Sequence, residues 1–167
     1  MNNNQIKITS KIKEAIQNNK PIVALESTLI SHGLPYPDNI NVANESIKAV
    51  EKSGSIAATI GIINGIIKIG LDKNDIEILA STKNVEKVSL HNIALSLFNK
   101  KNAATTVAAT INIASKIGIN FFATGGIGGV HLDSENNSDI SADLTELSRT
   151  KMFVVSSGAK SILDLEK

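Results

Sequence analysis

Apolar positions along this chain come in short unbroken runs separated by amphipathic stretches. Ser10 stands where it can cap a helix carrying Ile12, Ala15 and Ile16 on one face. Pro21 then opens the run IVAL, which reads as a strand ending at Glu26. Pro35, Pro37 and Asp38 mark a loop, and Ile40, Ala43, Ile47 and Val50 recur at helical spacing until Gly54, a residue suited to closing a helix. Two isoleucine-rich runs flank Asn64-Gly65, a pair that adopts positive φ easily and so predicts a tight antiparallel hairpin. Asp72 is placed to cap a helix with Ile76 and Leu79, VEKVS reads as a strand, and Ser89 is placed to cap a helix bearing Ile93, Leu95 and Phe98. Thr106 opens an alanine-rich helix that Gly118 closes. FFAT is a strand, Ser141 starts a helix, and MFVVS is the last strand.

Strands alternating with helices predict an α/β layered fold with a mostly parallel central sheet flanked by helices, plus one antiparallel hairpin. Continuous apolar strands fit a sheet covered on both faces. Without an internal repeat, a low-complexity tract or a long linker, residues 1–167 read as a single domain.

Composition narrows the function. A length of 167 residues with 42% hydrophobic positions suits a globular domain with one core and excludes a wholly disordered chain. Lys+Arg 17 against Asp+Glu 16 leaves a formal charge of +1, which provides no general attraction for nucleic acid or an anionic membrane. Uncharged stretches such as 54–67 contain turn residues and fall short of the roughly 18 apolar residues of a spanning helix. The polar start lacks a signal-peptide pattern, so the expected location is cytoplasmic. No cysteine is present, which removes disulfides, thiolate metal sites and thiol nucleophiles, and 3% aromatic residues argue against base-stacking platforms.

In open parallel sheets, ligands gather outside the carboxyl ends of the strands. Glu26 after IVAL, Thr124 after FFA, and Ser156 to Lys160 after FVV share one rim if their strands are parallel. Glu26 can act as an acid or base whose proton affinity is raised by desolvation, or as a structural acceptor for Ser27 and Thr28. Lys160 can pair with a phosphate, attack a sugar carbonyl as an amine, or simply be solvated. Lys87 in VEKVS suits a phosphate ligand or a solvent-facing strand position.

The loop TGGIGGVH, with Thr124, Gly125, Gly126 and His131, can present backbone N–H groups to an anion or serve as a tight structural turn. It departs from the dinucleotide fingerprint, because counting from Gly126 places His131 where the last glycine belongs. His131, Asp133, Asp139 and Asp143 have a composition suited to Mn²⁺ or Mg²⁺ held largely through water. Asp143 equally suits a helix first turn, and Asp139 a turn.

Taken in order, VALESTLISHGLPYP, AATIGIINGIIKIG, NAATTVAAT, FFATGGIGGVH, SDISADL and GAKSILDL closely resemble the amino-terminal part of pseudouridine-5′-phosphate glycosidases across nearly the whole chain. The resemblance implies reversible conversion of pseudouridine 5′-phosphate and water to uracil and ribose 5-phosphate, with Mn²⁺ and a homotrimeric assembly. By motif it implies that Glu26 is the proton donor, Lys160 the covalent nucleophile forming an iminium with the sugar, and Asp139 the metal ligand. Lys87, Val107, Ser141, Ala142 and Asp143 are implied as substrate-binding positions, and Thr124, Gly125, Gly126 and His131 as lining the site.

Family members are nearly twice this length, so the chain is expected to correspond to the first part of a longer catalytic domain with apolar surface left uncovered. The alternative is a catalytically silent fragment that retains ligand binding or subunit association. A third reading is another lysine-dependent phosphosugar enzyme on a related scaffold.

Overall fold

The computed structural model describes residues 5–132 and 139–166. Strand β1 (Ile6–Ile8) leads into helix α1 (Ser10–Gln17), β2 (Ile22–Leu25), a π-helical turn at Leu29–Gly33, and α2 (Asp38–Lys52). The long strand β3 (Ile56–Ile63) turns back into β4 (Ile66–Ile69), followed by α3 (Lys73–Ser81), β5 (Glu86–Val88), α4 (Ile93–Phe98) and β6 (Ala103–Thr105). Helix α5 (Val107–Lys116), β7 (Phe121–Thr124), α6 (Ala142–Arg149) and β8 (Phe153–Ser156) complete the order. The α/β layered architecture expected from the alternation is the one observed.

The strands form one mixed sheet in the order β1-β4-β3-β2-β7-β8, with β6 beside β3 and β5 beside β6. β3 joins its two parts. Residues Ile56 to Thr59 pair in parallel with β2, and Ile60 to Ile63 pair antiparallel with β4. Asn64 and Gly65 both have positive φ, 50° and 72°, which is the hairpin geometry that this dipeptide predicts. A second antiparallel contact, Gly61 and Ile62 against β6, was not expected. β2, β7 and β8 are mutually parallel.

The caps follow the sequence with two corrections. Asp72 accepts from the Asp75 backbone N–H at 2.9 Å, and the Asp75 carboxylate accepts in return from Asp72, closing a capping box on α3. At α1 the cap position is Thr9, one residue before Ser10, and it makes no side-chain capping bond. At α4 it is Asn92, whose side-chain oxygen accepts from the Ser89 N–H at 2.9 Å. Ser89 therefore donates to the turn instead of capping the helix.

Isoleucine dominates the core. Ile60, Ile62, Ile67 and Ile69 are fully buried between β3 and β4, alongside Ile12 from α1 and Ile111 from α5. The sheet is not covered on both faces throughout. Ala24, Phe122 and Val154 point into the core, whereas Phe121, Phe153 and Val155, on the opposite face of β7 and β8, are exposed. No helix among the described residues is long and apolar enough to cross a membrane.

Candidate functional site

Parallel pairing of β2, β7 and β8 brings their carboxyl ends level, with Leu25 beside Ala123 and Thr124 beside Ser156. Glu26 follows directly and lies against the end of β7. Its two carboxylate oxygens accept from the Thr124 and Thr28 hydroxyls. Burial pushes the Glu26 carboxyl above the usual glutamate value. The two hydroxyls and the Lys160 charge oppose that shift, and the Asp143 charge adds to it.

The neighbouring Ser27 anchors this end. Its hydroxyl accepts from the Thr105 N–H at 2.9 Å, and the Thr105 hydroxyl donates to the Ile60 carbonyl at 2.7 Å. Thr110 donates to Thr105 at 2.9 Å, so fully buried hydroxyls tie β2, β3, β6 and α5 together behind Glu26.

Two cavities open on this rim. One, of about 190 Å³, is bounded by Glu26, Thr28, His32, Lys87, Gly126 and Lys160. The second, of about 350 Å³, lies among Lys87, His131, Asp139, Ser141, Asp143 and Lys160. Lys87 and Lys160 border both, so the cavities adjoin through a wall carrying two cationic side chains. A third, apolar cavity of about 420 Å³ lies between α2 and the ends of β2 and β7 and reaches Glu26 and Thr124.

Asp143 is buried at the other end of the rim. Its carboxylate accepts from the Ala108 N–H at 2.9 Å, at the start of α5, and from the Gly128 N–H at 2.8 Å. Ser141 caps α6 by accepting from the Asp143 N–H at 3.2 Å. The carboxylate thus satisfies donors of a helix N-terminus and of the glycine loop together. Gly128 is required by this approach: a Cβ there would lie 2.2 Å from the Ser141 hydroxyl oxygen and 2.8 Å from Asp143 Oδ2. The loop is fixed at its other end by Ile127 and Lys160, where the Ile127 N–H donates to the Gly158 carbonyl and the Lys160 N–H to the Ile127 carbonyl, both at 3.0 Å.

The structure therefore brings Glu26, Lys87, Thr124, Gly125, Gly126, His131, Asp139, Ser141, Ala142, Asp143 and Lys160 to one rim. Val107 is the exception among the residues singled out. It opens α5, but its side chain is buried in the core and lines neither cationic cavity. His131 Nδ1 lies 3.9 Å from Asp139 Oδ2, and both side chains are substantially exposed. No group of three His, Cys, Asp or Glu side chains poised for a metal occurs among the described residues, and Asp133 lies outside them. The imidazole and carboxylate of that pair are suitable first donors for an ion that keeps several waters.

His32 is the rim residue that sequence reasoning passed over. It lies within the π-helical turn three residues beyond Leu29, and its Nδ1 lies 2.9 Å from the Ser31 hydroxyl. Partial enclosure pushes its proton affinity down, as does the Lys87 charge, while a hydrogen bond to the Val85 carbonyl opposes them. The available signal was its place in LISHG, within a helical turn or two of Glu26.

A carboxylate held partly out of water, two lysines and a glycine loop stand together at the carboxyl ends of parallel strands on an α/β scaffold, a composition suited to a small anionic molecule. Residues 11–167 match the family model described as Indigoidine synthase A like protein, and the chain belongs to that family. Its curated relatives include pseudouridine-5′-phosphate glycosidases of Staphylococcus aureus, 53% identical over 97% of this chain, and of Escherichia coli, 51% identical over 96%. The chain spans about half the length of these relatives, 53% and 52%. Among solved structures it is similar to the prealnumycin C-glycosynthase AlnA in complex with ribulose 5-phosphate, with a TM-score of 0.87 at 44% identity, covering 96% of this chain and 52% of that one. An indigoidine synthase A-like protein of Thermotoga maritima gives a TM-score of 0.82 at 37% identity, with the same coverage.

Proposed function

We propose that this chain provides the sugar-phosphate and proton-transfer half of a site that reversibly cleaves the C–C glycosidic bond of pseudouridine 5′-phosphate, giving uracil and ribose 5-phosphate. The observation that carries this reading is the convergence of Glu26, Lys87 and Lys160 on one cavity. The names of the relatives and the sugar phosphate bound by AlnA support it.

The bond between uracil C5 and sugar C1 offers no leaving oxygen or nitrogen to protonate, so an amine is needed. Lys160 Nζ, as the neutral amine, bonds to C1 while the bond from C1 to the ring oxygen breaks, and the proton lost from the nitrogen passes to that oxygen. Glu26, whose burial favours its protonated form, then supplies a proton toward uracil C5. The C1–C5 bond breaks with its electron pair remaining on uracil, and the nitrogen lone pair forms the iminium. Water adds to that carbon, releasing ribose 5-phosphate and restoring the lysine amine. Lys87 faces the same space and would hold the phosphate, with Ser141 and the glycine loop on the far side. Asp139, beside His131, would hold Mn²⁺, which supplies fixed positive charge to the anionic substrate. A homotrimer belongs to the same reading.

Incubation with ribose 5-phosphate and borohydride is expected to leave a stable mass addition on the peptide containing Lys160. An adduct on Lys87 with Lys160 unmodified overturns the assignment, and no adduct favours a catalytically silent chain. In an assembly that releases uracil, Glu26→Gln is expected to lower the rate by about 100-fold or more.

A further inference from the structure

His32 stands where the element that follows Glu26 meets the element that carries Lys87. Its π-helical turn, Leu29–Gly33, begins three residues after Glu26. The imidazole makes a hydrogen bond to the Val85 carbonyl, two residues ahead of Lys87, and its Nδ1 lies 2.9 Å from the Ser31 hydroxyl. Glu26, His32, Lys87 and Lys160 all border the cavity of about 190 Å³. The ring therefore straps the turn to the strand that presents Lys87.

Few charges surround this ring. Lys87, from β5, is the one whose field reaches it, while Glu26 from the end of β2 and Lys160 from beyond β8 face the same cavity. Helices α2 and α3 also pack against the turn, and Asn39 joins them through neutral groups, donating to the Ile30 carbonyl at 2.7 Å and to the Ala80 carbonyl at 3.1 Å. No charged side chain of either helix contributes at the ring among the described residues. With the site empty, partial enclosure and the Lys87 ammonium both favour the neutral imidazole. A dianion set against Lys87 reverses the sign of the field that the ring meets.

The need for a second cation rests on the proposed reaction. Lys160 attacks as a neutral amine, so Lys87 is the lysine left in the wall between the two cavities to balance a phosphate carrying two negative charges. The strap accepts a proton without breaking, because the Ser31 hydroxyl turns to donate to a bare Nδ1 or to accept from a protonated one.

We propose that His32 is the proton-linked partner of Lys87: a neutral strap in the empty site that takes up one proton when a tetrahedral dianion settles on Lys87, so that anion binding and protonation of this ring are coupled. The proton comes from solvent and returns to it when the anion leaves. His32 is a positioning residue in this role, acting through Lys87 without touching the sugar.

The chain has three histidines, which makes the ring directly observable by NMR. Their Cε1–H resonances are assigned with His32→Gln, His91→Gln and His131→Gln and followed from about pH 5 to 8, with sulfate and with chloride at matched ionic strength. Sulfate stays a dianion throughout, so no titration of its own intrudes. The His32 midpoint is expected to rise by about 1 pH unit or more in sulfate. By linkage, sulfate then binds up to about tenfold tighter at the acid end of the range than at the alkaline end, a dependence that His32→Gln loses. A His32 midpoint that sulfate leaves unchanged overturns the proposal, whether sulfate binds elsewhere or not at all, and so does a shift confined to His91 or His131. The borohydride adduct with ribose 5-phosphate separates this outcome from the reaction: an adduct on Lys160 with an unmoved His32 removes the coupling alone, and a moved His32 without an adduct removes the lysine chemistry and leaves the coupling standing.

Discussion

Glu26 and Asp143 stand on the same rim, and the protein holds their carboxyl groups in different ways. Asp143 is fully engaged, accepting from two backbone N–H groups that belong to α5 and the glycine loop. Among the described residues the donors to Glu26 are hydroxyls, from Thr28 and Thr124, and burial there favours the protonated form. The first acid is an acceptor committed to two backbone donors; the second is held by hydroxyls alone, which suits the proton-donor role proposed for it. The difference lies in the donors: an amide N–H at a helix start cannot turn away, whereas a threonine hydroxyl can rotate to donate or accept.

The sharpest way to break this contrast is at Asp143. Asp143→Ala leaves the Ala108 and Gly128 N–H groups without their acceptor in a buried place and is expected to cost about 3 kcal/mol. In a chain of this size that lowers the thermal midpoint by about 10 °C. Gly128→Ala attacks the same junction by steric means and is expected to fall in the same range, because the close approach to Ser141 leaves no room for a methyl group. If both variants melt with the parent chain, the junction does not hold the rim together.

Glu26→Gln sharpens the contrast at the other end. The folded chain binds the Glu26 proton more tightly than the unfolded chain does. From the ordinary value of 4.5 up to its raised value, folded stability from this group therefore falls as pH rises. Glutamine removes the titration, so the stability of the variant relative to the parent should improve as pH increases through that window and then level off. Parallel stability curves for the two proteins would show that Glu26 titrates alike folded and unfolded.

Much of this rim was legible in the sequence because the strands announce themselves as unbroken aliphatic runs, and a polar residue ending such a run has one place to go. IVAL, FFAT and MFVVS put Glu26, Thr124 and Lys160 together once their pairing is parallel. β6 was hidden because Ala103 and Ala104 carry no strand signature. They are small where β6 pairs with the last part of β3, against Gly61 and Ile62, and only the tertiary pairing selects an extended conformation there. Val107 was tied to the site by motif, yet its place as the first residue of α5 turns the side chain into the core. The exposed face of β8 could not be read from periodicity, since Phe153 and Val155 have the character of core residues.

The smallest expected effect separates the two aspartates near the metal-suited pair. Asp139 has a side chain 57% exposed and faces His131 at 3.9 Å, a separation at which solvent screens most of the attraction. Asp139→Asn should therefore change unfolding free energy by less than about 0.5 kcal/mol, in contrast to the large loss at Asp143. The same substitution should weaken Mn²⁺ binding, followed by water proton relaxation, more than Asp143→Asn does, because the Asp143 oxygens are already occupied by N–H donors. Equal losses of Mn²⁺ affinity in the two variants, with both still folded, would mean that the carboxylates share one ion and that Asp143 is not committed to the backbone alone.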